Sequence, residues 1–258
     1  MNTASRALLF TRPQGQGEDL VQALDAAGWH CVRQPLLQIM PIQPDQPQAF
    51  QAIKSRMMNL DLYDVVISVS SNASTQAVQW IDQYWPQMPV GLKWLAVGPS
   101  SALPFNELGI QMDIPAGNHS EGLLELAELQ QLAGKKVLIL RGMGGREHLA
   151  NTLKERGAQV DYCELYERQA ISFKPGQLAT LLRESQIHYA LITSGEMAEQ
   201  LAQQLQDDSS LLKLQLIVPS MRIQDIATSL GFSQVVVCGH IQAQTLLACL
   251  NSLPARSN

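Results

Sequence analysis

Small polar residues and glycines follow most of the short apolar runs in this sequence. Where parallel strands end, such turns place helix N-termini, whose free N–H groups and positive dipole ends bind anions. One turn of this kind more often only caps its helix, whereas five turns facing one cleft would bind a ligand with several negative charges. The turns supply the candidate ligand-binding residues Ser71, Asn72, Ser100, Ser101, Gly142, Ser194, Gly195 and Ser220.

Two arginines and one tyrosine are the other residues that could bind a ligand or take part in catalysis. Arg12 and Arg141 each come directly after an apolar run, where a guanidinium binds carboxylate or phosphate; intramolecular or surface pairing is the equal alternative. Tyr166 lies in a predicted segment between domains, where a phenol can donate a hydrogen bond or a proton. The alternative role of Tyr166 is packing alone.

Several common sites are excluded by spacing. Gly142–Gly145 does not match G-x-G-x-x-G, and no lysine follows it as in a phosphate-binding loop. The five histidines and four cysteines have no metal-ligand spacing, so no metal site is expected. The nucleophile motif G-x-S-x-G of serine hydrolases is also missing.

Composition indicates a globular protein. The chain has 258 residues, is 46% hydrophobic and carries a formal net charge of -5. That charge argues against broad binding to nucleic acid or an anionic membrane. Neither a membrane-spanning run nor a secretory signal is recognisable, so we expect a cytoplasmic protein with reduced thiols.

The elements that must position these residues alternate between strand and helix. Short β-type runs precede amphipathic helical patterns, which is typical of βαβ units and a largely parallel sheet. The fold class is therefore α/β. The predicted strands are Ala7–Phe10, Val65–Val69, Trp94–Val97, Val137–Leu140, Ala190–Ile192, Leu216–Val218 and Val235–Cys238.

The chain also repeats itself. Leu9–Leu37 aligns without a gap on Leu138–Tyr166, which indicates two copies of one βα series rather than a chance likeness between α/β segments. The paired landmarks are Arg12 with Arg141, Gly15 with Gly144, Leu20 with Leu149, Leu24 with Leu153 and Gly28 with Gly157. Further pairs are Ser70 with Ser194, Pro99–Ser100 with Pro219–Ser220, and Gly109 with Gly231.

Two copies need not be two consecutive domains. The proline-rich stretch Pro35–Pro47 and the extended segment Glu164–Ile171 occupy matching places, so the chain is expected to cross between domains twice. The predicted first domain is residues 1–37 plus 172–258, and the second is 44–165. Residues 38–43 and 166–171 are then two antiparallel connector strands.

The ordered set of landmarks resembles the uroporphyrinogen-III synthase family over essentially the whole chain. The segments that carry the resemblance are Leu8–Pro13, Pro35–Ile39, Asp64–Ala73, Ala96–Ala102, Ser120–Leu126, Val137–Ala158, Leu165–Arg168, Ile192–Glu196 and Val218–Phe232. The resemblance implies two flavodoxin-like parallel-sheet domains joined by a two-stranded β-ladder. At Ser220 the sequence departs from a Gly-Pro-Thr-Thr pattern of some members.

The resemblance also implies a lyase of tetrapyrrole and haem biosynthesis. Its small-molecule substrate, hydroxymethylbilane, would lose water and close to uroporphyrinogen III, with ring D inverted through a spiro-pyrrolenine. No cofactor is implied. Tyr166 matches the family's connector tyrosine, the expected acid for the leaving hydroxyl, and Ser100 or Ser101 and Ser220 match hydroxyls lining the family's cleft. A monomer in transient contact with the preceding enzyme is expected.

Two other functional classes stay open at this point. A non-catalytic two-lobed protein could bind a polyanionic small molecule with the same turns. A glycosyltransferase with two Rossmann-like lobes would also fit the α/β pattern, although the chain has neither a phosphate loop nor a carboxylate–metal motif.

Overall fold

The computed structural model describes residues 6–115, 120–145, 147–206, 208 and 212–253. Its strands are β1 Ala7–Phe10, β2 His30–Arg33, β3 Leu37–Pro41, β4 Val65–Ser68, β5 Lys93–Ala96, β6 Lys136–Gly142, β7 Gln159–Ala170, β8 Tyr189–Leu191, β9 Gln215–Val218 and β10 Val235–Val237. The predicted apolar runs all lie in strands, with bounds that shift by at most two residues.

Helices follow most of these strands. The α-helices are α1 Glu18–Ala26, α2 Pro47–Met58, α3 Ser71–Tyr84, α4 Pro99–Glu107, α5 Ser120–Leu123, α6 His148–Glu155, α7 Gln177–Glu184, α8 Gly195–Leu205, α9 Met221–Ser229 and α10 Ala243–Ser252. Short 3₁₀ helices occupy Leu60–Leu62 and Ala127–Leu129. In the described part of the chain, no helix is long and apolar enough to cross a membrane.

The chain divides into two compact units. Unit 1 contains the residues up to Gln38 and from Gln169 onward, and unit 2 is Ile39–Arg168. The chain changes unit inside β3 and near the end of β7. Tyr166 therefore belongs to the sheet of unit 2. The connector strands 38–43 and 166–171 stay a prediction.

Unit 1 is a parallel sheet with the strand order β10-β9-β8-β1-β2. Numbered within the unit, this is the flavodoxin-like order 2-1-3-4-5. Strands β1, β8 and β9 are buried along their whole length because helices cover both faces, which explains their continuous apolar sequences.

Unit 2 has the order β3-β7-β6-β4-β5, in which β7, β6, β4 and β5 are parallel. A parallel bridge from Leu95 to Asp113 occupies the place next to β5. Strand β3 lies beside β7, joined by hydrogen bonds from the Ile42 N–H to the Leu165 carbonyl (3.1 Å) and from the Ile171 N–H to the Leu36 carbonyl (3.0 Å). This pairing is antiparallel, and the α/β prediction with flavodoxin-like sheets and a two-stranded ladder is confirmed.

The positions that we matched between the two repeats lie at equivalent places in the two units, with one exception. Ser70 and Ser194 are N-caps whose hydroxyls accept hydrogen bonds from Ala73 N (3.1 Å) and Met197 N (3.2 Å). At the next strand, however, Gly98 is the N-cap of α4 whereas Ser220 is the N-cap of α9. Pairing Ser100 with Ser220 was therefore wrong, because Pro99 enters the first turn of α4, where a proline costs no hydrogen bond.

Gly157 ends α6 in the left-handed region, and its surroundings generate a first prediction. Its φ is +89°, and a Cβ there would lie 3.0 Å from the Ala133 Cα. Gly134, in the same unit, has φ +74° with nothing within 4 Å of its Cβ position. We expect Gly134→Ala to lower the free energy of unfolding by about 1–2 kcal/mol through backbone strain alone.

Gly157→Ala adds a clash with backbone and should cost about 2–4 kcal/mol. Urea unfolding followed by circular dichroism measures both variants against the parent chain. Equal losses for the two variants would contradict the packing described around Ala133.

Candidate functional site

An open cavity of about 340 Å³ lies at the carboxyl ends of β4 and β6 in unit 2. This is the edge of a parallel sheet at which ligands bind. Three predicted site residues, Arg141, Gly142 and Tyr166, line it. The other lining residues are Val69, Ser70, Ile139, Gly144, Gly145, His148, Leu149, Ala150, Tyr162 and Arg168.

Tyr166 is held on strand β7 and is 3% exposed, within the hydrophobic core of unit 2. Its ring therefore packs, as the alternative reading of the sequence proposed, but its hydroxyl is not buried among apolar atoms. The Tyr166 hydroxyl lies 3.1 Å from the Ser70 hydroxyl, and both residues line the cavity. Tyr166 thus presents a hydrogen-bonding group to the cavity from a fixed ring.

Gly142 is the residue that allows this ring position. The register between β6 and β7 shifts after Arg141, so that Gly142 pairs with Tyr166. A Cβ on Gly142 would lie 2.6 Å from both Cε2 and Cζ of the Tyr166 ring. Met143 N donates to the Tyr166 carbonyl at 2.7 Å, which locks the two segments together. A glycine is therefore needed at position 142 for close packing against the ring, and not for a left-handed backbone conformation.

Ser70 is the partner that the sequence analysis did not assign to Tyr166. As N-cap of α3, its oxygen accepts from Ala73 N at 3.1 Å, so its own proton remains to be donated. If that proton goes to the Tyr166 oxygen, the phenol proton is free to point into the cavity. The pairing of Ser70 with Ser194 marked it as a cap, but contact with a residue far along the chain leaves no signal in local sequence.

Arg168 is the second cavity residue that the sequence analysis missed. Its guanidinium carbon lies 5.9 Å from the centroid of the Tyr166 ring, and Nη2 donates to the Met143 carbonyl at 3.3 Å. A cation beside a phenol stabilises the charge that appears when the phenol gives up its proton. Arg168 is half-buried, whereas Met143 is 42% exposed at the cavity's loop.

Arg141 is used within the protein. Its side chain is only 6% exposed and donates to the carbonyls of Gly142 (3.2 Å) and Gly144, and to Glu147 (3.1 Å). It also lies 4.4 Å above the Tyr162 ring. Of the two roles that we considered for Arg141, these contacts favour intramolecular pairing: the side chain fixes the loop Gly142–Gly145.

Tyr162 completes this arrangement by donating to the same Glu147 carboxylate. Burial, together with the hydrogen bond and charge of Glu147, raises the pKa of Tyr162 to about 12. The hydroxyl of Tyr162 in turn lowers the pKa of Glu147, helped by Arg141. Tyr162 is therefore a neutral donor that supports the loop.

The other predicted residues of unit 2 lie at helix starts. Ser71 and Asn72 are half-buried in the first turn of α3. Ser100 is exposed in the first turn of α4, while Ser101 is 2% exposed. Neither serine lines the cavity at Tyr166, and of the two Ser100 is the more exposed.

Unit 1 carries Arg12 at the corresponding strand end. Arg12 is half-buried beside an open cavity of about 550 Å³, and burial lowers the pKa of its guanidinium. Ser220 is half-buried, and its hydroxyl makes no hydrogen bond to the described residues. The Ser194 hydroxyl caps α8, and a Cβ on Gly195 would lie 2.9 Å from Ile226 Cδ1, so Gly195 permits helix packing.

Neither a metal cluster nor a disulfide is found in the part of the chain that the structure describes. No group of three or more His, Cys, Asp or Glu side chains there could hold a metal ion. The free cysteines are Cys31, Cys163, Cys238 and Cys249, and burial raises the pKa of the Cys163 thiol to about 12.

Comparison with known proteins identifies relatives over most of the chain. Residues 18–248 match the family model described as uroporphyrinogen-III synthase HemD. A uroporphyrinogen-III synthase of Escherichia coli strain K12 is 34% identical over 255 residues, covering 95% of this chain and 99% of that protein. The one from Proteus mirabilis is 36% identical over 197 residues, covering 76% of this chain and 96% of the relative.

Solved structures show the same fold at lower sequence identity. A mutant uroporphyrinogen III synthase from the extremely thermophilic bacterium Thermus thermophilus has a TM-score of 0.59 at 14% identity, covering 95% of this chain and 97% of that one. The structure from Helicobacter pylori 26695 has a TM-score of 0.58 at 14% identity, covering 96% and 100%.

The contact between Gly142 and Tyr166 can be tested as a pair. Gly142→Ala should lower the free energy of unfolding by about 1–3 kcal/mol, because the new methyl group overpacks against the ring. In a Tyr166→Leu background the ring is gone, so the same change should cost clearly less. Urea unfolding of the four proteins gives the coupling energy, and strictly additive losses would contradict this contact.

Proposed function

The chain belongs to the uroporphyrinogen-III synthase family, and we propose that Tyr166 protonates the leaving hydroxyl in its reaction. It is an enzyme of tetrapyrrole synthesis. The reaction that we propose is closure of hydroxymethylbilane to uroporphyrinogen III with loss of water and inversion of ring D. The alternative of a non-catalytic binder is not favoured, because relatives that match 95% and 76% of the chain are named as synthases.

One observation carries the role of Tyr166: its hydroxyl meets the Ser70 hydroxyl at 3.1 Å on the wall of a cavity. The ring packs closely against Gly142 within the core of unit 2, which restricts the position of the phenol oxygen before the substrate arrives. Fixed placement of a proton donor avoids reorganisation during the reaction. A typical general acid contributes about 10²–10⁴-fold to the rate.

In the proposed first step, electrons from the terminal pyrrole expel the hydroxyl while the Tyr166 proton passes to it. Water departs, and an azafulvene cation and the Tyr166 phenolate remain. The Ser70 hydroxyl donates to the resulting phenolate, and Arg168 lies beside the ring. After spiro closure, fragmentation and reclosure, the phenolate takes up the proton that the new macrocycle releases when its pyrrole becomes aromatic again.

The substrate's carboxylates require several dispersed contacts. We propose that Arg12 and the helix starts of Ser71, Asn72, Ser100, Ser194, Gly195 and Ser220 supply them, while Arg141 and Gly142 shape the loop at Tyr166. The net charge of -5 is compatible with this arrangement, since N–H groups and hydroxyls bind carboxylates without adding positive charge. The Ser220 hydroxyl bonds to none of the residues that the structure describes, which supports its inclusion.

We propose further that the enzyme acts in the cytoplasm as a monomer without a cofactor. Protonation and positioning are the only tasks that the proposed chemistry asks of the protein. The transient contact with the preceding enzyme stays a prediction.

Tyr166→Phe tests the acid directly, because it keeps the ring against Gly142 and removes only the hydroxyl. We expect kcat for uroporphyrinogen III to fall about 10²-fold or more with KM nearly unchanged. Ser70→Ala should lower kcat less, by about tenfold, through loss of the hydrogen bond to the phenolate. Fresh hydroxymethylbilane, followed by oxidation and chromatography of the porphyrin isomers, measures these rates.

Tyr63→Phe is the matched control, since Tyr63 donates to Asp161 at 2.9 Å and does not line this cavity. It should leave kcat unchanged. A Tyr166→Phe enzyme that is as fast as the parent would remove Tyr166 from the chemistry.

Ser220 and Ser194 offer a second matched pair in unit 1. Ser220→Ala should raise KM about 3- to 10-fold without loss of stability, because its hydroxyl bonds to none of the described residues. Ser194→Ala should also cost about 1 kcal/mol of stability, a loss not expected for Ser220→Ala, since the Ser194 hydroxyl caps α8. Steady-state kinetics and urea unfolding separate the two effects, and an unchanged KM for Ser220→Ala would contradict its role.

A further inference from the structure

Each unit contains an arginine, a glutamate and a third residue at corresponding positions. In the gap-free alignment of the duplicated segments, Arg12, Glu18 and Arg33 correspond to Arg141, Glu147 and Tyr162. The three pairs lie at similar places of the fold: near the end of the first strand, at the start of the helix and in the second strand. The glutamate has a different partner in each unit.

In unit 2 the arginine and the glutamate pair with each other. Arg141 donates to Glu147 at 3.1 Å, and Tyr162 donates to the same carboxylate from the other side. Because a tyrosine is neutral, it shares the carboxylate with the arginine instead of competing for its charge. In this set the charge of Arg141 is paired within the protein, by Glu147, and its guanidinium also donates to the carbonyls of Gly142 and Gly144.

In unit 1 the third residue is itself a cation, and it takes the glutamate. Nη1 of Arg33 lies 2.5 Å from one Glu18 oxygen and 2.6 Å from the other. Arg12 consequently has neither a hydrogen bond nor an ion pair with any of the described residues. Asp19 contributes only a longer-range attraction to it. The replacement of tyrosine by arginine thus leaves one guanidinium without its carboxylate.

A half-buried guanidinium without a partner among the described residues is a favourable place for an anion. Burial opposes its charge and lowers its pKa, whereas a carboxylate in direct contact would offset that cost. Nη1 of Arg12 lies 3.4 Å from the Cβ position of Gly17, beside the N-terminus of the nine-residue helix α1, which has no side-chain cap. A carboxylate at that point would meet both Arg12 and uncapped N–H groups.

The cavity at Arg12 has room for such a ligand. It measures about 550 Å³, within the usual range for small-molecule pockets, and Glu18 and Arg33 line it with Arg12. Gln14 and Gln16 also line it and add polar groups.

We infer that Arg12 binds a carboxylate arm of the substrate because Arg33 holds Glu18 away from it. Arg33 is a positioning residue: it acts on the ligand through Glu18. The inference rests on the proposed function for the identity of the ligand, and adds to it the reason why only one of the two duplicated arginines is free to bind.

Arg33→Tyr is the decisive variant, because it gives unit 1 the residues of unit 2. We expect Glu18 to turn to Arg12 and compete with the substrate, so that KM rises about tenfold or more with kcat unchanged. Arg12→Ala should raise KM to a similar extent. Adding Glu18→Gln to Arg33→Tyr removes the competing charge and should return KM to within about twofold of the parent.

Arg183→Tyr makes the same change at an arginine of unit 1 that pairs with Asp208, and should leave KM unchanged. The recovery in the double variant is the result that a merely structural role of Arg33 would not produce. An Arg33→Tyr enzyme with the parent's KM, or a double variant that does not recover, would overturn the inference.

A binding measurement separates this inference from the proposed reaction. Uroporphyrin III carries the same carboxylate arms, and its emission anisotropy reports binding without turnover. The expected order is weak binding to Arg33→Tyr and restored binding to the double variant. If the parent chain and the two variants bound uroporphyrin III in this order but the parent chain formed no uroporphyrinogen III, the proposed reaction would be wrong and the role of Arg33 would stand. If the parent chain formed uroporphyrinogen III but binding did not follow this order, only the role of Arg33 would be overturned.

Discussion

The close approach of the Tyr166 ring to the backbone of Gly142 is the constraint on which the site of unit 2 depends. A side chain on residue 142 would occupy the space of the ring, so the glycine and the register shift between β6 and β7 are needed together. That packing puts the phenol oxygen at the N-terminus of α3, where it lies beside the Ser70 hydroxyl. Arg141 is drawn into the same structure, because it holds the loop that follows Gly142.

The sequence predicted the fold well because the relevant signals are local. Continuous apolar runs mark strands buried on both faces, and the ends of helices α1 and α6 are marked by Gly28 and Gly157, whose φ angles are +82° and +89°. The gap-free repeat also anticipated which strands occupy equivalent places. The one misalignment, at Ser100 and Ser220, arose because a proline can precede an N-cap or follow it without a change in local pattern.

The site was predicted less completely, and for a physical reason. Residue types and positions predict Tyr166, Arg12 and Arg141 as site residues. The hydrogen-bond and ion-pair partners of each depend on contacts between distant segments. Ser70 reaches Tyr166 only when β4 and β7 are placed on either side of β6. The fate of the two arginines likewise depends on one residue at the second strand, Arg33 in unit 1 and Tyr162 in unit 2. The two units thus share the arrangement of strands and helices, whereas the ion pairs of the matched arginines differ.

We propose that this chain turns hydroxymethylbilane into the inverted macrocycle with its own side chains and backbone. Fresh hydroxymethylbilane closes unaided to the uninverted isomer, so each isomer reports a different route. The direct measurement is to incubate it with the purified chain and no added cofactor, oxidise the products and separate the porphyrin isomers. We expect a shift from the type I to the type III isomer. If well-folded protein left only type I, formed at the spontaneous rate, the proposed reaction would be wrong.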